Sequence, residues 1–568
     1  MTSDRGSDFI YVTQARGLAS AAAEEKEVLM STLSKRNRRR ALRITACFSL
    51  IVTLLAAGCS APTVNRQESS SAPSTPAAVG PLPIGPYAYS DAPCPDPLIE
   101  GLQIPPLGAD FSCGRLTVPE DRSKAEGKQI SIAVARLKSS NSAPKPEPLL
   151  MLSGGPGGTG LVDAVVAYGQ LNLNRDREVI FIDQRGTLHS DPFLGCPEID
   201  TFTQQAVAWT TADAETERKD LAAVAACRQR LTGQGIDLRM FDTAENSADL
   251  AALRLALNIP AWHVYGVSYG TDLALQYLRN YPDGIVSEVL DSVVPPNMSL
   301  IKSFWNSAAS GFQELSAACS AQPACVQMLP DLEATLTTVV DDLNARPRTI
   351  KVTLPNGQSV SAVIDGYKFA NLVETRSLVP GGYDDIPAII AAAAKGNVRP
   401  AATAIAAAAQ PTPSPAVGYG LAFGVFCRES IAYTTKEAVF AAGKQALPNF
   451  PDQVLEFTLQ TPRFFADCGV WDIGKAPDLS QQPAQSSVPV LILTGQLDAV
   501  TAPSNAEFAV PILPNSTVLK FPDSAHGVLT WSSCGPATVT GFINDPRKGY
   551  RPTCLTGLKS PTFATKTN

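Results

Sequence analysis

The apolar positions of this chain fall into short continuous runs rather than alternating ones. ISIAVARL (130–137), LLMLSG (149–154), VIFID (179–183), WHVYGVS (262–268) and SEVLD (287–291) each read as a strand buried on both faces. VPVLILTG (488–495) and TVLKF (517–521) resume the pattern near the end. Between VIFID and WHVYGVS a stretch rich in Ala, Leu and charged residues reads as helical and ends near Asn258. Such strands separated by helices predict the α/β class, a mainly parallel sheet flanked by helices. The rhythm breaks from 297 to 485, where Ala-rich stretches such as YDDIPAIIAAAAKG and a Pro/Ala loop near 410–416 predict an inserted, mostly helical cap. The expected core therefore comes in two parts, 91–296 and 486–568.

The front of the chain has a different composition. KRNRRRALR (35–43) precedes an apolar run over 44–55 and then AAGC, ending at Cys59. A basic stretch, a short apolar stretch and small residues describe an export signal, since a membrane helix needs about 20 apolar residues. Residues 1–58 are read as that signal segment, with Met30 a possible true start. Residues 59–90, rich in Ser, Pro and Ala, are read as a linker. LLAAGC resembles a bacterial lipoprotein signal, which implies a cell-envelope lipoprotein or secreted protein, anchored to the membrane through Cys59.

Composition narrows the chemistry. Hydrophobic residues make up 45 % of the 568 and charged residues 17 %, enough apolar material for a large core. The net charge of −7 offers no polyanion-seeking surface, so nucleic acid is not an expected partner. Three histidines in the whole chain argue against a multi-histidine metal centre. Apart from Cys47 and Cys59 there are ten cysteines, an even number that suggests five disulfides in an oxidising compartment. The simplest pairing joins sequence neighbours: 94–113, 196–227, 319–325, 427–468 and 534–554.

Chemistry concentrates at a few motifs. GVSYG (266–270) ends a predicted strand and opens a helix, a strand–turn–helix setting that lifts the Ser268 hydroxyl clear of the sheet. A serine needs a base. His526, on a Gly-containing loop after TVLKF, follows the serine in the chain order expected for this architecture, whereas His263 begins the serine's own strand and His189 precedes the serine. Asp498, after VLILTG, is the expected acid partner; Asp523, three residues from His526, competes but has awkward reach. SGGPGGTG (153–160) lacks the lysine of a phosphate-binding loop and reads as an oxyanion loop. An amide there (Gly155, or Gly157) and the N–H of Tyr269 are the expected oxyanion donors.

GGPGG, DQRGT (183–187), GVSYGT, LTGQLDAVTAP and the final His526 together resemble the prolyl-iminopeptidase and tripeptidyl-aminopeptidase group of α/β-hydrolases, in its exported bacterial branch. The resemblance spans about 90 to 560. It implies Ser268 as nucleophile, Asp498 as acid and His526 as base, with release of a single residue or a tripeptide from a peptide N-terminus. An esterase or amidase acting on small apolar substrates is the alternative with the same triad. No metal or organic cofactor is required. An N-terminal ammonium needs a carboxylate, and Glu429 in VFCRES, beside Cys427, is the expected substrate-binding anchor; Arg428 could equally neutralise it. Asp183 and Arg185 are expected to organise the loop facing the oxyanion site.

Overall fold

All seven apolar runs form strands. The computed structural model describes residues 80–96, 106–165, 171–354, 357–409 and 417–566. The expected signal segment, Cys59, most of the linker and the Pro/Ala stretch at 410–416 lie outside the described residues. The strands are β1 (Ala88–Ala92), β2 (Phe111–Pro119), β3 (Gln129–Leu137), β4 (Leu149–Leu152), β5 (Val179–Ile182), β6 (Trp262–Val267), β7 (Ile285–Asp291), β8 (Arg348–Thr353), β9 (Ser359–Ile364), β10 (Val490–Gly495) and β11 (Ser516–Phe521). Nine of them make one sheet in the order β1-β2-β3-β5-β4-β6-β7-β10-β11. From β5 to β11 every pairing is parallel, while β1, β2 and β3 pair antiparallel and β3 meets β5 antiparallel. This is the α/β architecture expected from the apolar rhythm.

Each central strand supplies both faces of the core. In β4, Leu150 and Leu152 join the apolar layer on one side, and Leu149 and Met151 the layer on the other. In β10, Val490 and Ile492 face the first layer, Leu491 and Leu493 the second. A strand with both faces covered has no polar positions to alternate, which is why these segments read as unbroken apolar runs.

The sequence pattern gives no sign of β1 and β2. AYSDA contributes little apolar area, and FSCGRLTVP alternates because it sits near the sheet edge. β1 begins at Ala88, inside the stretch expected to be linker.

Between β7 and β10 the chain is largely helical, interrupted by the two-stranded β8–β9 hairpin. Its apolar cluster, built around Trp305, Phe312 and Phe450, also contains Leu497, Ala499 and Ala525. Those three flank Asp498 and His526, so the inserted segment packs directly onto the loops that carry them. Five disulfides join Cys94–Cys113, Cys196–Cys227, Cys319–Cys325, Cys427–Cys468 and Cys534–Cys554, the nearest-neighbour pairing. They are consistent with export to an oxidising compartment. Among the described residues no helix is long and apolar enough to cross a membrane.

Candidate active site

Ser268 stands between β6 and the helix Tyr269–Asn280 with φ 57° and ψ −127°, a conformation rarely adopted by a residue with a side chain. The turn is tight enough to demand its glycines. A Cβ on Gly266 would come within 2.3 Å of the Gly270 carbonyl oxygen, and one on Gly270 within 2.3 Å of the Leu152 carbonyl oxygen. Tyr269 opens the helix, where a backbone N–H lacks an intrahelical acceptor.

The parallel register brings the strand ends to one edge of the sheet. Val267 pairs with Asp291, Asp291 with Leu493, and Gly495 with Phe521, so the loops after β6, β7, β10 and β11 emerge side by side. Asp291, the last residue of β7, fastens two of them. Its carbonyl accepts from Ser268 N–H at 3.0 Å. Its carboxylate accepts from the N–H groups of Val528 and Leu529, both at 2.8 Å, and from the Tyr265 hydroxyl at 2.8 Å. Ser292 Oγ accepts from Gly527 N–H at 2.9 Å. The His526 loop is thereby tied to the strand end that also holds Ser268.

His526 Nδ1 lies 3.0 and 3.2 Å from the two Asp498 carboxylate oxygens, and both side chains are buried. The carboxylate can only accept, so Nδ1 carries the proton and Nε2 keeps its lone pair. Asp498 also accepts from the backbone N–H groups of Val500 (2.9 Å) and Thr501 (2.8 Å) and from the Thr501 hydroxyl (2.7 Å). Burial works against its charge. The His526 charge and these hydrogen bonds outweigh it and hold the carboxyl below the usual carboxylate range. Burial likewise disfavours the imidazolium, yet Asp498 outweighs it and lifts His526 above 6.5. Asp523 turns elsewhere, accepting from the hydroxyls of Ser524 and Ser532.

The other two histidines have separate partners. His263 faces Ser287 Oγ at 2.7 Å near the start of β6, and burial pushes it down to about 3. His189 Nδ1 meets Asp183 Oδ2 at 2.7 Å. Asp183 also accepts from the Thr159 hydroxyl and the Leu161 N–H, so it pins the end of the 153–160 loop. Arg185 is fully buried, doubly bonded to Asp249.

That Gly-rich loop lies against the serine. A Cβ on Gly154 would sit 2.8 Å from Ser268 Cβ and 3.4 Å from its Oγ. Gly155, with φ +115°, is the next residue.

A cavity of about 530 Å³ opens from this loop into the region covered by the cap. Gly155, Pro156 and Gly158 line one part of it. Apolar side chains including Phe202, Trp209, Phe423 and Phe464 line much of the rest. The wall draws on two excursions of the chain, one between β5 and β6 and one between β7 and β10.

Glu429 is not among the residues lining this cavity. Its Oε1 accepts from Thr243 N–H at 2.8 Å, and Gln276 Nε2 lies 3.4 Å from Oε2. Burial, reinforced by the charges of Asp242 and Asp272, pushes it up to about 8. Arg428 pairs with Asp242 instead. The structure thus brings Asp498 and His526 into contact and ties the His526 loop through Asp291 to the strand end that presents Ser268, with Gly154 packed against the serine, while Glu429 bonds to Thr243 and Gln276 outside the cavity lining.

Asp291 and Thr501 are site residues that the sequence motifs do not reveal. An acidic residue closing an apolar strand was the signal available for Asp291; Thr501 carries no mark beyond its nearness to Asp498.

A family model described as "alpha/beta hydrolase fold" matches residues 147–532. The chain is 33 % identical over 205 residues to a tripeptidyl aminopeptidase of Streptomyces coelicolor, covering 34 % of this chain and 37 % of that protein. It is 26 % identical over 279 residues to the serine protease Hip1 of Mycobacterium tuberculosis, covering 45 % and 51 %. The matches thus span between a third and about half of these relatives' length. Among solved structures it is similar to a proline iminopeptidase of Mycobacterium smegmatis, with 18 % identity, TM-score 0.33, and coverage of 76 % of this chain and 97 % of that one.

Proposed function

This chain belongs to the alpha/beta hydrolase fold family and is related to bacterial serine peptidases, and from that premise we propose that it is a serine exopeptidase releasing short fragments, a single residue or a tripeptide, from peptide N-termini. The observation that carries the reading is the Asp498–His526 pair, fastened through Asp291 to the strand end that presents Ser268. In the proposed cycle Ser268 Oγ attacks the scissile carbonyl while His526 Nε2 takes its proton. Asp498 holds the imidazole in the required tautomer and stabilises the imidazolium. The oxyanion is received by the N–H groups of Tyr269 and Gly155. His526 then protonates the leaving amine, and water activated by the same histidine releases the acyl fragment.

A second reading, hydrolysis of small apolar esters or amides, is favoured by the apolar lining of the cavity. A panel of aminoacyl and peptidyl p-nitroanilides with free and acetylated N-termini, alongside p-nitrophenyl esters, separates the two. Turnover of free-amine anilides that is lost in Ser268→Ala supports the exopeptidase. Turnover of esters alone favours the second reading, and undiminished turnover in Ser268→Ala refutes both. The export signal and the ten paired cysteines support a cell-envelope or secreted location, with Cys59 the proposed lipid attachment point; metabolic labelling with a radioactive fatty acid, lost in Cys59→Ala, tests the anchor.

A further inference from the structure

One wall of the large cavity is chemically unlike the rest. Asp467, in the helix Phe464–Trp471, lines the cavity and is 1 % exposed. Its Oδ1 is buried without a hydrogen-bond partner. Such an orphaned acceptor is destabilising unless a ligand donates to it. Asp220, on the helix Ala214–Gly233, lines the same wall.

The cations nearby are already engaged. Arg463 pairs with Asp220 at 3.2 Å and also donates to the Thr211 carbonyl. The Lys368 ammonium donates to the carbonyl oxygens of Ala206 (2.9 Å), Val207 (3.3 Å), Trp209 (2.6 Å) and Val363 (3.1 Å). The guanidinium is thus taken by Asp220, and among the described residues no ion pair reaches Asp467. Burial, together with the charges of Asp220 and Glu217, pushes Asp467 up to about 8 despite Arg463. Another part of this cavity is bounded by Gly155, Pro156 and Gly158, the loop against Ser268. A substrate whose carbonyl meets Ser268 can extend between the two.

We propose that Asp467, backed by Asp220, is a subsite for an alkylammonium group of the substrate, and that the aromatic wall of Phe202, Trp209, Phe423 and Phe464 receives the carbon skeleton between that group and the scissile carbonyl. The assignment rests on the serine-hydrolase reading of Ser268 and adds a substrate class to it. An ammonium brings a donor for the orphaned Oδ1 and the charge that the second carboxyl lacks. A wholly apolar acyl chain leaves Oδ1 unpaired, so the wall selects against it as well as for the cation. The chemistry is shared by a peptide N-terminus and a lysine side chain.

The test uses the full chain and four matched peptidyl p-nitroanilides: lysine or norleucine at one position, each with a free or an acetylated N-terminus. A charge-assisted contact that desolvates the ammonium gives the cationic member a preference of about 30-fold in kcat/KM, carried by KM. Asp467→Asn shrinks that ratio to within about threefold. Loss of the preference on acetylation of the norleucine peptide assigns the subsite to the N-terminus; a lysine preference surviving acetylation assigns it to the side chain. Equal handling of cationic and neutral substrates by the native enzyme, or an unchanged ratio in a folded Asp467→Asn, overturns the proposal. Should that variant not fold, inhibition of the native enzyme's ester turnover decides: n-butylammonium binding at least about tenfold tighter than n-butanol supports the subsite, and equal inhibition overturns it. Turnover that survives Ser268→Ala would instead refute the serine reading, a failure distinguishable from loss of cation preference alone.

Discussion

Asp498→Asn keeps the side chain's shape and removes its charge, and the surrounding donors dictate how the site responds. Oδ1 accepts the backbone N–H groups of Val500 and Thr501 at 2.9 and 2.8 Å, while Oδ2 takes the Thr501 hydroxyl at 2.7 Å and lies 3.0 Å from His526 Nδ1. Two backbone donors select the amide oxygen for the first position, so the amide nitrogen occupies the second. Its N–H then meets the imidazole Nδ1–H, donor against donor. The imidazole relieves this by moving its proton to Nε2, where it can no longer accept the proton of Ser268. A wrong tautomer of this kind costs about 10⁴ in kcat, which corresponds to about 5 kcal/mol of barrier. Initial rates on a p-nitrophenyl ester and a peptidyl p-nitroanilide measure the loss, with the thermal unfolding midpoint reporting that the chain has folded. A folded Asp498→Asn enzyme with kcat within tenfold of the native value would refute the argument.

The same geometry sets other expectations. His526 must be neutral to act as base and its pKa lies above 6.5, so the acid limb of kcat/KM should have its midpoint above pH 6.5. The sign is consistent with linkage: the stabilisation that the raised imidazolium gives the fold is complete below 6.5 and lost as pH rises through the raised value, where activity appears. A limb centred below pH 6 would show that Asp498 does not govern the base. Gly270→Ala places a methyl 2.3 Å from the Leu152 carbonyl oxygen, and backbone must move; a loss of at least about 1–3 kcal/mol should be visible in chemical denaturation, and an unaltered midpoint would contradict the close approach. Glu429, lifted to about 8, is mostly protonated in the fold at pH 7 but ionised in the unfolded chain, so Glu429→Gln, which has no proton to take up on folding, should raise the unfolding midpoint there. A carboxyl raised this way contributes stability that is complete below its unfolded value of 4.5 and is lost as pH rises from there through about 8, and Glu429→Gln should remove that loss. A selective loss of free-amine substrates in Glu429→Gln would instead restore it as the amine anchor.

Particular residues show where sequence reading reached its limit. The inner parallel strands were legible because burial on both faces leaves an uninterrupted apolar run, a one-dimensional signal, whereas β11, at the sheet edge, buries alternate residues. GVSYG was legible because a tight strand-to-helix turn needs small residues at fixed offsets from Ser268. Asp498 could be preferred to Asp523 because a carboxylate on a separate post-strand loop can face His526, whereas one three residues away on the same loop has awkward reach. Glu429 shows the opposite case. A carboxylate beside a disulfide cysteine in the cap looked suited to an ammonium, but nothing in VFCRES says that its neighbours in space are Thr243 and Gln276 rather than the cavity.

The covalent order of this chain determined its strand and helix rhythm, its turn chemistry and the residue types available for acyl transfer, because each depends on neighbours within a few positions. Only the tertiary structure decided which polar groups end up dry and which of those lack a partner. Asp220 and Asp467 are 247 positions apart and line one cavity; Asp291 joins the Ser268 turn to a loop more than 230 residues later. Desolvation and hydrogen-bond satisfaction are set by what packs around a group in three dimensions, and no local pattern encodes that.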